Sequence, residues 1–140
     1  ADKAPNGIAL PEGYKDWRLI ASSQRTDNNT TRVILGNDAA VAAARAGKTN
    51  PWPDGVVFAK LVWKNKTHEK WASAIVPGDF VHAEFMIKDA KKFADTGGWG
   101  FQAFKGSSRD QRLVTEAKTQ CFACHQSQKP RDYVFSTWRD

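Results

Sequence analysis

Cysteine is scarce in this 140-residue chain, which holds two, so at most one disulfide can form. No uninterrupted apolar stretch approaches the length of a membrane span, and no charged segment followed by an apolar one opens the chain. A soluble protein with no membrane partner is expected. Internal repeats and low-complexity segments are absent too, and the length suits one domain, residues 1–140, with a single core and room for one buried group. Lysine and arginine exceed the acidic residues, 21 to 15, for a net charge of +6. These cations are scattered and form no basic helix or aromatic platform, which argues against nucleic acid as a partner. A solvated surface of this sign can still steer an acidic partner protein.

The two cysteines stand together in Cys121-Phe122-Ala123-Cys124-His125. That run is the attachment sequence of a covalent c-type haem: two thiolates add to the vinyl groups, and the adjacent histidine ligates iron. Cys121 and Cys124 are thus expected to carry one haem c per chain, with His125 as its metal ligand. A zinc site would need two further ligands, and only His68 and His82 remain, without the paired spacing zinc sites use. A thioredoxin-like pair normally follows the first strand of a βαβ unit, whereas this motif lies near the C-terminus. A plain disulfide is the remaining alternative. The first residues, Ala1-Asp2-Lys3-Ala4-Pro5, are a small polar start of the kind left by signal-peptide removal. Bacterial haem attachment takes place outside the cytoplasm, so a periplasmic address is expected.

Along the chain, residues 1–13 read as an irregular lead-in. Trp17 to Ser23 and Thr31 to Leu35 are short β-prone runs around a polar turn. Asn37 caps an alanine-rich helix ending near Gly47, with Asp38 in its first turn. Val56 to Trp63 is the strongest strand. Val57, Ala59, Leu61 and Trp63 form one apolar face, and Lys60 interrupts the other, made with Val56, Phe58 and Val62. A second strand, about Asp79 to Ile87, directs Val81, Ala83, Phe85 and Ile87 one way and Phe80, His82, Glu84 and Met86 the other. A short helix from Asp89, a break at Gly97-Gly98, a strand from Trp99 to Phe104 and a helix over Asp110 to Gln120 lead into the attachment motif. Strands first and a haem-bearing helix last predict an α+β fold, an antiparallel β-sheet packed with helices and ending in a C-terminal haem c attachment helix.

The chain resembles the cytochrome P-460 family and its relatives, the β-sheet cytochromes c′. The matching residues are Leu10-Pro11-x-x-Tyr14-x-x-Trp17, Asp54-Gly55-x-x-x-x-Lys60, Lys88-Asp89-x-x-x-Phe93-Ala94, Trp99, Cys121-x-x-Cys124-His125 and Asp132-x-Val134-Phe135. The resemblance implies an antiparallel sheet on helices, a homodimer, and a five-coordinate haem c with an open distal site.

It also implies roles for individual residues. Family members of the P-460 type bond a lysine amine to a porphyrin meso carbon, and Lys60 falls at the matching place. A lysine on an apolar strand face is costly to bury charged, and a desolvated neutral amine is nucleophilic. The alternative is a solvent-exposed or edge lysine that discourages aggregation. Glu84 is placed near the distal pocket as a proton acceptor, or else on a sheet surface beside a solvated Lys88. Phe58 and Phe80 are candidates for an apolar distal cap, or for core aromatics. Met86, His82 and His68 are the other candidate sixth ligands. Arg131 is a candidate partner for a haem propionate, or a surface arginine. Two functions follow: hydroxylamine oxidation, with Lys60 tuning the macrocycle and Glu84 relaying protons, or capture of NO or CO in an apolar pocket. A bis-ligated electron-transfer cytochrome is a more distant reading.

Overall fold

The computed structural model describes residues 8–106 and 121–138. Five strands form one antiparallel sheet in chain order, β1 (Arg18–Arg25), β2 (Thr30–Gly36), β3 (Val57–His68), β4 (Trp71–Lys88) and β5 (Trp99–Lys105). Such a meander needs only short connections between neighbours. Helix α1 (Asp38–Arg45) follows β2, and a single turn α2 (Ala123–His125) runs into a 3-10 stretch, Gln126–Arg131. The α+β reading therefore stands in its coarser form, sheet with helices. The helix expected over Asp110 to Gln120 lies outside the described residues. Among the described residues no helix is long and apolar enough to cross a membrane.

Asn37 starts α1 as the alternation of β2 ends. Its Oδ1 accepts the Ala40 N–H at 3.0 Å and the Val57 N–H at 3.2 Å, tying the helix start to the start of β3. The helix then lies tight on the sheet through its alanines. A Cβ on Gly36 would stand 2.8 Å from Ala40 Cβ and 2.9 Å from Ile20, so only glycine allows this approach.

The sheet separates two cores by strand parity. On one face Ala59, Leu61, Ala83, Phe85 and Phe104 pack with Leu35 and, from the lead-in, Leu10 and Tyr14. On the other, Phe58 and Phe101 pack with α1, Trp52, Trp99 and Val134 from the C-terminal segment.

Three expectations are corrected. The second long strand begins at Trp71 rather than near Asp79, because β3 and β4 continue as a hairpin arm that leaves Trp71 and Ile75 exposed. The segment after Asp89 is turns and a 3-10 turn, Ala94–Thr96, with no α-helix. Finally, Phe80 changes face. Val62 pairs with His82, but Trp63 pairs with Phe80, so Val81 is an extra residue in β4. This bulge reverses the alternation, and Phe80 packs on Trp63 at 5.5 Å between ring centroids, on the face of Ala83.

Candidate functional site

The face opposite Phe80 opens into a cavity of about 560 Å³ between the sheet and the C-terminal segment. Strand register explains its wall. One row across the strands is Ala21, Ile34, Lys60, Glu84 and Ala103; the row beside it is Gly36, Phe58, Met86 and Phe101; the row on the other side includes Ser23, Arg32, Val62 and His82. The cavity is thus apolar at the Phe58 end, cationic at the Arg32 end, and crossed by an acid and an amine. Cys121, Cys124, His125, Val134 and Phe135 line it from the other side.

One hydrogen bond fixes the orientation of the histidine. His125 Nδ1 lies 2.7 Å from the Tyr133 carbonyl oxygen, to which it donates, so Nε2 keeps its lone pair. Phe101 and Phe135 flank the ring at 5.2 and 5.0 Å between centroids. Burial lowers the imidazole's basicity, against the opposing effect of the Tyr133 carbonyl, and favours the neutral ligand form. Both cysteines are free thiols, Cys124 exposed and Cys121 partly buried. Burial, with Glu84 adding to it, pushes the Cys121 thiol up to about 11.

Lys60 and Glu84 face one another across β3 and β4 as an ion pair, and His82 Nε2 lies 3.5 Å from the same Glu84 Oε2. For Glu84, burial is the largest single influence and opposes ionisation. The His82 contact and the Lys60 charge together outweigh it, holding the carboxyl at about 2. β3 is the central strand, so Lys60 is not an edge lysine; its side chain is 33% exposed and lines the cavity. A carboxylate that is ionised at neutral pH, beside an amine on the cavity wall and in contact with an imidazole behind it, can accept a proton from a small ligand.

The family model described as Cytochrome P460 matches residues 11–136. The chain belongs to the Cytochrome P460 family. Haem is the cofactor this membership implies. No curated protein matches the sequence significantly.

The cavity of this Cytochrome P460 protein passes a test of fit for haem that is independent of the motif. Arg32 Nε is buried and has no hydrogen-bond partner among the described residues, although Nη2 donates to Thr30 Oγ1 at 3.2 Å. Burial is the main reason, ahead of the neighbouring Arg25 charge, that its guanidinium is less basic than usual. A desolvated cation at one end of the cavity, away from its apolar Phe58 end, suits a carboxylate such as a haem propionate. Sequence reading overlooked Arg32, although the alternation Arg32, Ile34, Gly36 along β2 carried the signal.

Other candidates lie elsewhere. Arg131 is exposed and donates to the carbonyls of Phe135 and Ser136 at 3.1 Å and to Thr137 Oγ1 at 2.6 Å, bracing the C-terminal segment. His68 is at the tip of the hairpin arm, where Nδ1 accepts the Lys70 N–H at 3.0 Å. Phe80, by the bulge, is on the far face. Phe58 and Met86 both line the cavity; Phe58 is also a core residue, 4.9 Å from Trp52 and 5.7 Å from Trp99 between ring centroids. Lys88, read as solvated, is 5% exposed and paired with buried Asp132. Their separation of 44 residues hid the pair from any local reading.

Proposed function

We propose that this protein carries one haem c, bound through Cys121 and Cys124 and ligated by His125, and oxidises hydroxylamine. The observation that carries the reading is the ionised Glu84, set between Lys60 and His82 on the wall of the cavity that also receives Cys121, Cys124 and His125. Haem held there supplies an iron centre with a position for a small ligand and a redox couple. The chain supplies the rest. Phe58, Met86 and Phe101 keep the slot apolar, Arg32 answers a propionate, and the Tyr133 carbonyl holds His125 in its ligating tautomer. Glu84 takes protons from the nitrogen and oxygen of hydroxylamine as electrons leave toward an acceptor. His82, 23% exposed, is the next group through which those protons reach water.

Lys60 is the residue suited to a bond with a porphyrin meso carbon. After the ammonium loses one proton, forming that bond replaces one N–H and one C–H by N–C, releasing two further protons and two electrons, so it requires a two-electron oxidant. It also removes the ammonium charge that holds Glu84 down, and burial then raises the carboxylate's affinity for protons. A periplasmic location and a homodimer, with another cytochrome as electron acceptor, belong to the same proposal. They rest on the attachment sequence and the family likeness.

The test uses protein produced with the haem-maturation machinery. Denaturing mass spectrometry should find polypeptide plus one haem. The ferrous Soret band should lie far to the red of an ordinary haem c, and should return in Lys60→Arg. With a two-electron dye acceptor, Glu84→Ala should slow hydroxylamine oxidation about 10²–10⁴-fold while leaving hydroxylamine binding nearly unchanged. Absence of turnover in wild type, with tight NO binding, would replace the enzyme by a gas-binding protein. The apolar row of Phe58, Met86 and Phe101 favours that second reading.

A further inference from the structure

The carbonyl that orients His125 belongs to an unusual piece of backbone. Asp132 and Tyr133 are consecutive residues in the left-handed region, with φ of 51° and 64°. Non-glycine residues hold that conformation only where surrounding contacts impose it. Here the contacts are dense and come from distant parts of the chain. Lys88 Nζ, at the end of β4, donates to both Asp132 carboxylate oxygens at 2.9 and 2.7 Å. The Trp52 backbone N–H donates to Oδ2 at 2.8 Å, and Trp99 Nε1, at the start of β5, donates to the Asp132 carbonyl at 2.8 Å. Tyr133 N–H then closes onto the Gln128 carbonyl at 2.8 Å.

The glycine pair before β5 makes room for this arrangement. A Cβ on Gly97 would stand 2.5 Å from the Tyr133 ring, and one on Gly98 would stand 3.3 Å from Lys88 Nζ. Lys88 and Asp132 are 5% and 7% exposed, and the ammonium lies 5.1 Å from the Trp99 ring centroid. Neither residue lines the cavity. A buried pair is weak evidence for stability by itself, since apolar replacements often serve equally well. Its value here is positional.

We propose that the Lys88–Asp132 ion pair is a clamp that sets the axial histidine: it fixes the Asp132–Tyr133 turn, and through the Tyr133 carbonyl it fixes the hydrogen bond, tautomer and basicity of His125. The inference rests on the haem reading above. Lys88 and Asp132 are positioning residues, acting on the ligand through one backbone bond. A histidine whose second nitrogen donates to a fixed carbonyl is a more basic ligand, and loss of such an outer partner typically changes metal affinity or activity about 10–100-fold. A more basic ligand favours the ferric state. Releasing the clamp should therefore raise the reduction potential, and a tenfold loss of that preference corresponds to about 59 mV for one electron.

The experiment compares wild-type holoprotein with Asp132→Asn, Lys88→Met and the double variant Lys88→Met/Asp132→Asn. The double variant leaves no buried unpaired charge and keeps an oxygen for the Trp52 N–H, so it is the variant expected to fold. The readouts are the iron–histidine stretch of the ferrous protein by resonance Raman and the midpoint potential, beside haem content. The expected result is full haem attachment, a lowered stretching frequency and a raised potential in each folded variant. A stretch and potential equal to wild type in a folded, haem-loaded variant would overturn the clamp and leave the haem reading intact. Wild type without covalent haem would overturn the haem reading instead. In reduced, carbonyl-bound wild type the His125 Nδ1 proton should resist exchange with solvent. Rapid exchange would overturn the clamp without recourse to any variant.

Discussion

The Glu84 carboxylate makes the acid stability of this protein depend on one side chain in a calculable way. Its folded value is about 2, against an ordinary 4.5. Burial alone would have moved it upward; the His82 contact and the Lys60 charge bring it down. At about 1.4 kcal/mol per pH unit the difference corresponds to an upper bound of about 3 kcal/mol. The side chain is 36% exposed, so water screens part of the interaction, and about 1–2 kcal/mol is the reasonable expectation. Because the folded value is depressed, this contribution is complete above about pH 4.5 and is lost as pH falls to about 2. Glu84→Gln keeps the shape and removes the titration. Urea unfolding of chain made without haem, in which Lys60 is unbonded, followed by tryptophan fluorescence should find wild type more stable than Glu84→Gln by about 1–2 kcal/mol at pH 7. The two curves should converge toward pH 2. A gap of the same size at both pH values, or none at pH 7, would refute the account of Glu84 as an anion stabilised by Lys60 and His82.

Two further outcomes test the placement of residues. Phe58→Ala should destabilise by about 3–5 kcal/mol and perturb the haem spectrum, whereas Phe80→Ala should leave the spectrum unchanged; a spectral response to Phe80→Ala would place the bulge wrongly. In chain made without haem, Cys121, with its thiol at about 11, should alkylate at pH 8 roughly two orders of magnitude more slowly than a free cysteine, as peptide mapping would report. Alkylation of Cys121 at the ordinary rate would mean that it is not buried as described.

Much of the sheet could be read from sequence because period-two alternation is a local property. The mixed face of β3 and β4 follows from counting, and it brought Phe58, Lys60, Glu84 and Met86 to one side, where the structure has them. Counting fails where the ladder is interrupted. Val81 inserts one residue, which moved Phe80 to the opposite core. The start of β4 lies earlier than alternation alone suggests, because Pro77 and Gly78, residues that strands disfavour, here lie in a hairpin arm whose partner strand supplies the pairing. The pairing of Lys88 with Asp132 was invisible for another reason. A charged residue at the end of a strand looks solvated unless its partner is known, and this partner lies 44 residues away.

The two corrections concerning charge and parity bear on one another. A sheet with a cofactor on one face needs a core on the other, since the cavity removes packing atoms from its own side. Ala59, Leu61, Ala83, Phe85 and Phe104 supply that packing, and the bulge adds Phe80 and Trp63 to it. The mixed face is then free to carry side chains chosen for chemistry, Lys60 and Glu84 among them. Its stability is recovered at the margin, where Trp52, Trp99 and Val134 close the end beside Phe58, and where Lys88 and Asp132 join β4 to the segment bearing His125. The segment that brings His125 is thus held in part by contacts outside the cavity. Substitution of Lys60 or Glu84 is therefore expected to alter the cavity without moving His125, whereas substitution of Lys88 or Asp132 is expected to move His125 without changing a residue that lines the cavity.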